Sequence, residues 1–271
     1  MSFTVGLKSR PIEFQLSDNG LDYIATLVQR DGLAHYEAPL PDLIAWLARA
    51  AQGLILDVGA HSGVFSLLAA AANPCVKVCG FEPLDGACAL FNANVALNPH
   101  LADRIKLYQL GLSNIAGMAD FYETINEMGL VSTSSSVEMQ HVERTGHELR
   151  KRTVELITLD GWLERFHDKT VSLIKIDVEG HEHAVILGGR ATIARCRPFI
   201  TVEVFGQTPV GPIDDLLFEE QYLDLVITSE ALRVCRTIGF HPDGWNHLLC
   251  PAEQLSIVFD FCQQYGLRLD V

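Results

Sequence analysis

An α/β fold, a mostly parallel sheet covered by helices on both faces, is predicted by three features of the sequence. Short apolar runs alternate with amphipathic segments; the first two runs end in a glycine-bearing turn and in an acid; and no internal repeat or long Pro/Gly-rich linker divides the chain. With 271 residues, 48% hydrophobic and 20% charged, the chain has ample material for one large core.

Each element follows from its local pattern. Residues 1–52 read as a largely helical N-terminal extension, closed by a helix-like segment at 43–48 behind Pro39 and Pro41, and the main domain is expected over 53–271. Residues 54–58 form a buried strand, and Gly59 to Gly63 turn the chain into a helix at 64–72. A second strand at 76–81 ends at Glu82-Pro83 and precedes a helix at 85–97. Further strands are expected at 105–110, at 171–176 (followed by a turn and a helix at 183–188) and at 199–204. Two more, at 223–228 and 247–250, bring the expected sheet to seven strands. The tract 126–152, with its serine-rich run and Arg150-Lys151-Arg152, shows little periodicity and reads as an inserted lid, binding loop or solvated surface loop.

Composition narrows the function. Acidic residues outnumber basic ones by 34 to 20, a net charge of −14, which argues against nucleic acid and anionic membranes as partners. The start of the chain meets charge and Pro11 before any apolar run, so neither a signal peptide nor a membrane span is expected. Seven cysteines without a CxxC pair read as reduced thiols of a cytoplasmic protein.

Ligands of open parallel sheets bind beyond the carboxyl ends of the strands. Here the first strand runs into Asp57-Val58-Gly59-Ala60-His61-Ser62-Gly63, where two glycines let the backbone turn tightly beside a ligand. The second ends in Glu82, at about the ~20-residue separation of a ribose-binding carboxylate. Together they predict an adenosine-containing cofactor. A dinucleotide calls for Gly-x-Gly-x-x-Gly around its pyrophosphate, and that spacing is absent. Asp57 would also face the phosphates, where like charges ~4 Å apart repel by roughly 4 kcal/mol at an intermediate dielectric. S-adenosylmethionine carries a sulfonium and an ammonium instead, so the carboxylate favours it.

The same loop, Phe81-Glu82-Pro83, Leu159-Asp160, Lys175-Ile176-Asp177-Val178-Glu179-Gly180-His181-Glu182 and Val202-Glu203 resemble the FkbM-type S-adenosylmethionine-dependent methyltransferases over roughly residues 53–205. The resemblance implies a class I, Rossmann-like methyltransferase fold and, most often, O-methylation of a hydroxyl on a sugar or small metabolite. It implies that Asp57, Gly59 and Gly63 line the methionine part of the cofactor with Ala60, His61 and Ser62. Glu82 then holds the ribose, Leu112 faces the adenine, and Pro83, Asp177 and Glu37 reach the same ligand. His61 departs from the family, which usually has Asn there.

Transfer to oxygen needs the acceptor ~3 Å from the methyl and a group to take its proton. Asp177, Glu179 and His181 alternate where a central strand leaves the sheet, so an extended backbone projects them to one side. His181 is the leading base because its ordinary pKa is near neutrality. Glu179 orients it, or acts as the base itself if burial raises its pKa. Glu203, at the next strand end, binds the acceptor hydroxyl. A divalent metal on Asp177, Glu179, His181 and Glu203 is the lesser reading, since the spacing matches no standard ligand motif. Asp177 also has a plain role as a helix cap. Arg144, Arg150, Lys151 and Arg152 read chiefly as a solvated face, and His241, His247 and Trp245 as loop residues at the pocket edge. A nicotinamide-dependent oxidoreductase and a non-catalytic cofactor-binding domain are the competing functions. The first predicts NADH binding, and the second predicts indifference to changes at Glu179, His181 and Glu203. Self-association is left open.

Overall fold

The structure is a computed structural model that describes residues 1–7, 11–125, 130–131, 133–166 and 169–271. The chain opens not with helix but with an antiparallel hairpin, β1 (Ser2–Leu7) and β2 (Ile12–Ser17). Val5 and Leu7, then Ile12, Phe14 and Leu16, turn one face of this hairpin inward with the two-residue period of a strand. Helices α1 (Tyr23–Asp31) and α2 (Leu40–Ala50) follow, so the largely helical extension expected at 1–52 is corrected to a hairpin plus two helices. These residues share one hydrophobic cluster with Leu67 and Leu68 of the main domain, and therefore belong to its core.

The central sheet grows from β3 (Leu54–Val58), followed by α3 (Val64–Ala72), β4 (Val78–Phe81), α4 (Asp85–Ala96), α5 (Pro99–Ala102) and β5 (Ile105–Tyr108). After a smaller inserted sheet and a short helix come β9 (Val171–Ile176), α8 (Glu182–Leu187), α9 (Arg190–Cys196) and β10 (Phe199–Glu203). That insertion consists of β6 (Gly111–Leu112), β7 (Gly117–Ile125), α6 (Met139–Glu143) and β8 (Glu148–Ile157), with α7 (Leu159–Leu163) behind it. The chain finishes with α10 (Gly211–Glu219), β11 (Tyr222–Ile227), β12 (Ala231–Cys235), β13 (Asn246–Pro251), α11 (Leu255–Tyr265) and β14 (Arg268–Asp270).

The sheet order is β14-β12-β11-β13-β10-β9-β3-β4-β5. From β5 to β10 all neighbours are parallel, and the antiparallel pairs lie at β10-β13, β13-β11 and β11-β12. All seven expected strands are present, but the sheet has nine. β12 and, at the edge, the short β14 extend it beyond the sequence pattern. The chain leaves β3 toward β4 on one side and returns to pair β9 on the other, which makes a topological switch point at the ends of β3 and β9.

The tract 126–152 contains α6 and the first part of β8. β8 pairs with β7 from Gly117↔Leu156 to Ile125↔Glu148, so Arg150, Lys151 and Arg152 lie in a strand rather than an unpatterned loop. Arg152 Nε donates to Glu123 at 2.9 Å, and Lys151 Nζ meets Asp120 at 2.7 Å across the ribbon. The part of this tract at 126–129 and 132 lies outside the described residues.

At the switch point Gly59 has φ +77°, and a Cβ there would stand 1.7 Å from the carbonyl oxygen of Asp177. Gly59→Ala therefore combines left-handed strain with a backbone collision. It is expected to destabilise the protein by more than about 2 kcal/mol, read as a lowered Tm by calorimetry.

Candidate active site

The carboxyl ends of β3, β4, β9 and β10 open into a cavity of about 360 Å³. Eleven of the fourteen residues expected from the sequence line it: Glu37, Gly59, Ala60, His61, Glu82, Pro83, Leu112, Asp177, Glu179, His181 and Glu203. Asp57, Ser62 and Gly63 do not. Asp57 is buried behind the wall, where its Oδ2 accepts from Ser66 Oγ at 2.6 Å, and burial raises its pKa against Lys175 and Ser66. Ser62 is fully buried and its carbonyl accepts from Asn94 Nδ2 at 2.9 Å. Gly63 starts α3 in the left-handed region, where a Cβ would meet the Phe91 ring at 2.7 Å.

Three lining residues without glycine's freedom, Glu37 (φ 51°), His61 (φ 44°) and Glu179 (φ 55°), are held in the left-handed region. Such strain persists where the surroundings over-determine the backbone, as they do at functional sites. Glu82 accepts backbone N–H groups from His61 at 3.0 Å and Leu84 at 2.9 Å. Burial nevertheless pushes its pKa up to about 7, against those hydrogen bonds.

The side chains after β9 pair differently from expectation. His181 does not bond to Glu179: its Nδ1 meets Glu138 Oε1 at 2.7 Å and its Nε2 meets Ser113 Oγ at 2.9 Å. Glu179 Oε2 instead meets His141 Nε2 at 2.8 Å, while His141 Nδ1 meets Gln207 Nε2 at 2.7 Å. Two crossed acid–histidine pairs thus join the β9–α8 turn to the segment around α6. Both ring nitrogens of His181 are engaged, which leaves it no lone pair for an acceptor's proton in this arrangement. Glu138 and His141 were missed in the sequence because they lie in the inserted tract, about forty positions from their partners.

Lys175 is the other residue that the motif contained without a role. Its Nζ donates to Asp177 Oδ2 at 3.0 Å and lies 4.8 Å from the centre of the Phe65 ring. Burial opposes its charge, but Asp177, Asp57 and Glu37 outweigh burial and raise its pKa. A lysine inside a run of strand residues buried on both faces was the available signal, since such a cation must be paired.

Glu203 is pushed up to about 11 by burial and by the charges of Asp177, Glu179 and Glu37, so it holds a proton at neutral pH. Burial also raises Glu179, against its hydrogen bond to His141, and raises Glu37 together with the charge of Asp177. Oxygens of Asp177, Glu179 and Glu203 lie within 4.8 Å of one another, a spacing that fits a cation, although His181 is not part of that group. Lys175 and the proton on Glu203 offset part of their charge. His247 is fully buried against Asp224 at 2.8 Å and His241 does not line the cavity, which corrects their expected place at its edge; Trp245 does line it.

Five carboxyl groups and one lysine thus line a pocket whose apolar wall includes Phe81 and Leu112. A pyrophosphate would be repelled here, whereas a ligand with a sulfonium and an ammonium fits the donor set.

The family described as the methyltransferase FkbM domain matches residues 57–223. Methyltransferase sdnD of Sordaria araneosa is 27% identical over 191 residues, covering 63% of this chain and 73% of that protein. The 2-O-methyltransferase NoeI of Sinorhizobium fredii is 28% identical over 176 residues, covering 60% of this chain and 70% of its own. The crystal structure of methyltransferase FkbM from Methylobacillus flagellatus KT is 15% identical, with a TM-score of 0.46. It covers 73% of this chain, which spans 42% of that one. No helix among the described residues is long and apolar enough to cross a membrane.

Proposed function

Because this chain belongs to the FkbM methyltransferase family, we propose that it transfers the methyl group of S-adenosylmethionine to a hydroxyl oxygen of a small molecule or sugar. The observation that carries this reading is the acid-lined cavity at the switch point, suited to a cationic cofactor and poor for a phosphate. The name of NoeI, a 2-O-methyltransferase, supports oxygen as the acceptor atom.

When bound, S-adenosylmethionine supplies a methyl electrophile on a sulfonium leaving group. Glu82 accepts hydrogen bonds from the ribose hydroxyls, with Pro83 beside it, and Leu112 faces the adenine. Gly59, Ala60 and His61 line the methionine part, with Asp177 and Glu37 toward its ammonium. Glu179, rather than His181, takes the acceptor's proton, and His141 holds it in place. Glu203 keeps its own proton against Asp177 and presents a neutral hydrogen-bonding group to the acceptor. Glu138, His181 and Ser113 fasten the turn that carries Glu179.

Calorimetry with S-adenosylmethionine, S-adenosylhomocysteine and NADH tests the cofactor. Micromolar binding of the two S-adenosyl compounds is expected, weakened by about tenfold or more in Glu82→Gln, which replaces one acceptor oxygen by an amide donor. Binding of NADH instead, or of neither class by folded protein, overturns the reading.

A further inference from the structure

The main cavity is small for its task. A single drug-sized ligand occupies pockets of roughly 300–1,000 Å³. The volume of about 360 Å³ lies at the bottom of that range, and under the proposed function it must receive both a cofactor and an acceptor.

A second cavity of about 370 Å³ adjoins it. Glu37 and Trp245 line both, so the two spaces meet across these side chains. Thr228, Ser229, Asp243 and Asn246 supply its other polar groups. Trp245 is 53% exposed, which leaves indole surface open for contact. Among the described residues that line this space there are two carboxyl groups and no lysine, arginine or histidine.

We propose that the second cavity is the outer acceptor subsite, and that it takes a positively charged ammonium group of the acceptor. The proposal rests on the methyltransferase reading for the identity of the ligand in the main cavity. The chemistry is that of a cation held between an aromatic face and a carboxylate. The half-exposed indole of Trp245 and the carboxylate of Asp243 line the same space, and the Ser229 hydroxyl adds a polar group there; Thr228 Oγ1 is held by the backbone of Ala231. An anionic group would meet Asp243 with no cationic side chain among the described residues lining the same space. The acceptor therefore spans the two cavities, its hydroxyl at Glu179 and its ammonium beyond Trp245.

Choline serves as the probe, with dimethylbutanol, the same skeleton with carbon in place of nitrogen, as its uncharged match. Both are titrated by calorimetry across the millimolar range into the full chain saturated with S-adenosylhomocysteine, whose own binding is measured first. Choline is expected to bind about fivefold or more tighter than dimethylbutanol. Asp243→Asn, which changes a residue of the second cavity only, is expected to remove most of that preference, and Trp245→Leu to abolish choline binding. Equal binding of the two probes, no choline binding, or a preference that survives Asp243→Asn overturns the subsite. Failure of S-adenosylhomocysteine to bind overturns the cofactor reading instead, so the two failures are distinct.

Discussion

Glu179→Gln is expected to lower kcat by about 10²- to 10⁴-fold, the range for loss of a general base. The amide keeps the size of the side chain and a partner for His141, so affinity for S-adenosylhomocysteine should stay within about threefold. The pH profile separates this role from a structural one. Glu179 has to be ionised to accept a proton, and burial raises its pKa above the ordinary 4.5. Activity is therefore lost as the pH falls through a value higher than that of a free carboxyl group. His141 opposes the upward shift. His141→Ala should consequently move the acidic limb to still higher pH, with a lower kcat at neutral pH. Stopped assays over a pH series check both. Parental kcat in Glu179→Gln, or a limb that stays in place without His141, removes Glu179 from the proton-accepting role.

Lys175→Met is expected to be the most destabilising single change at the site. The methionine fits the volume, but Asp57, Asp177 and Glu37 lose the cation that offsets their burial. Breaking a buried pair by removing one partner costs about 3–5 kcal/mol, which for a chain of this size lowers Tm by about 10 °C. The pH dependence has a definite sign. The folded pKa of Lys175 is raised above 10.5, so its stabilisation is present below that value and lost only as the pH climbs past the folded pKa. In the variant the orphaned carboxyl groups take up protons as the pH falls, so the gap in Tm between the two proteins should narrow toward acid. Thermal melts at several pH values measure that gap, and a Tm unchanged at neutral pH would show that the lysine is not the counter-charge of the cavity.

The parallel half of the sheet was legible because its strands are buried on both faces and appear as continuous apolar runs; residues 54–58 and 171–176 match the observed strands end to end. The hairpin at the start was overlooked, although Val5 and Leu7, then Ile12, Phe14 and Leu16, carry a period of two. The cofactor side of the cavity follows from the turns after β3 and β4, which are local in sequence. What sequence spacing did not reveal is the pairing at the other side. An extended backbone puts Glu179 and His181 together, but positive φ at Glu179 and Gly180 turns the chain between them, so each faces a separate partner. Those partners come from a distant insertion, and only the folded chain brings them within hydrogen-bond distance.

Asn94 gives the architecture a further meaning. This fully buried amide on α4 accepts from the backbone of Ser17 at 2.8 Å and donates to the carbonyl of Ser62 at 2.9 Å. Asn98, one turn later, accepts from Gln15 at 2.8 Å and donates back to its carbonyl at 2.8 Å. The outer edge of β2 is thereby closed to any other strand, and the same helix steadies the cofactor loop. The opening hairpin is thus a foundation rather than an ornament. A shortened or replaced N-terminus would leave the motif residues of the cavity intact in sequence while removing the support on which their loop rests.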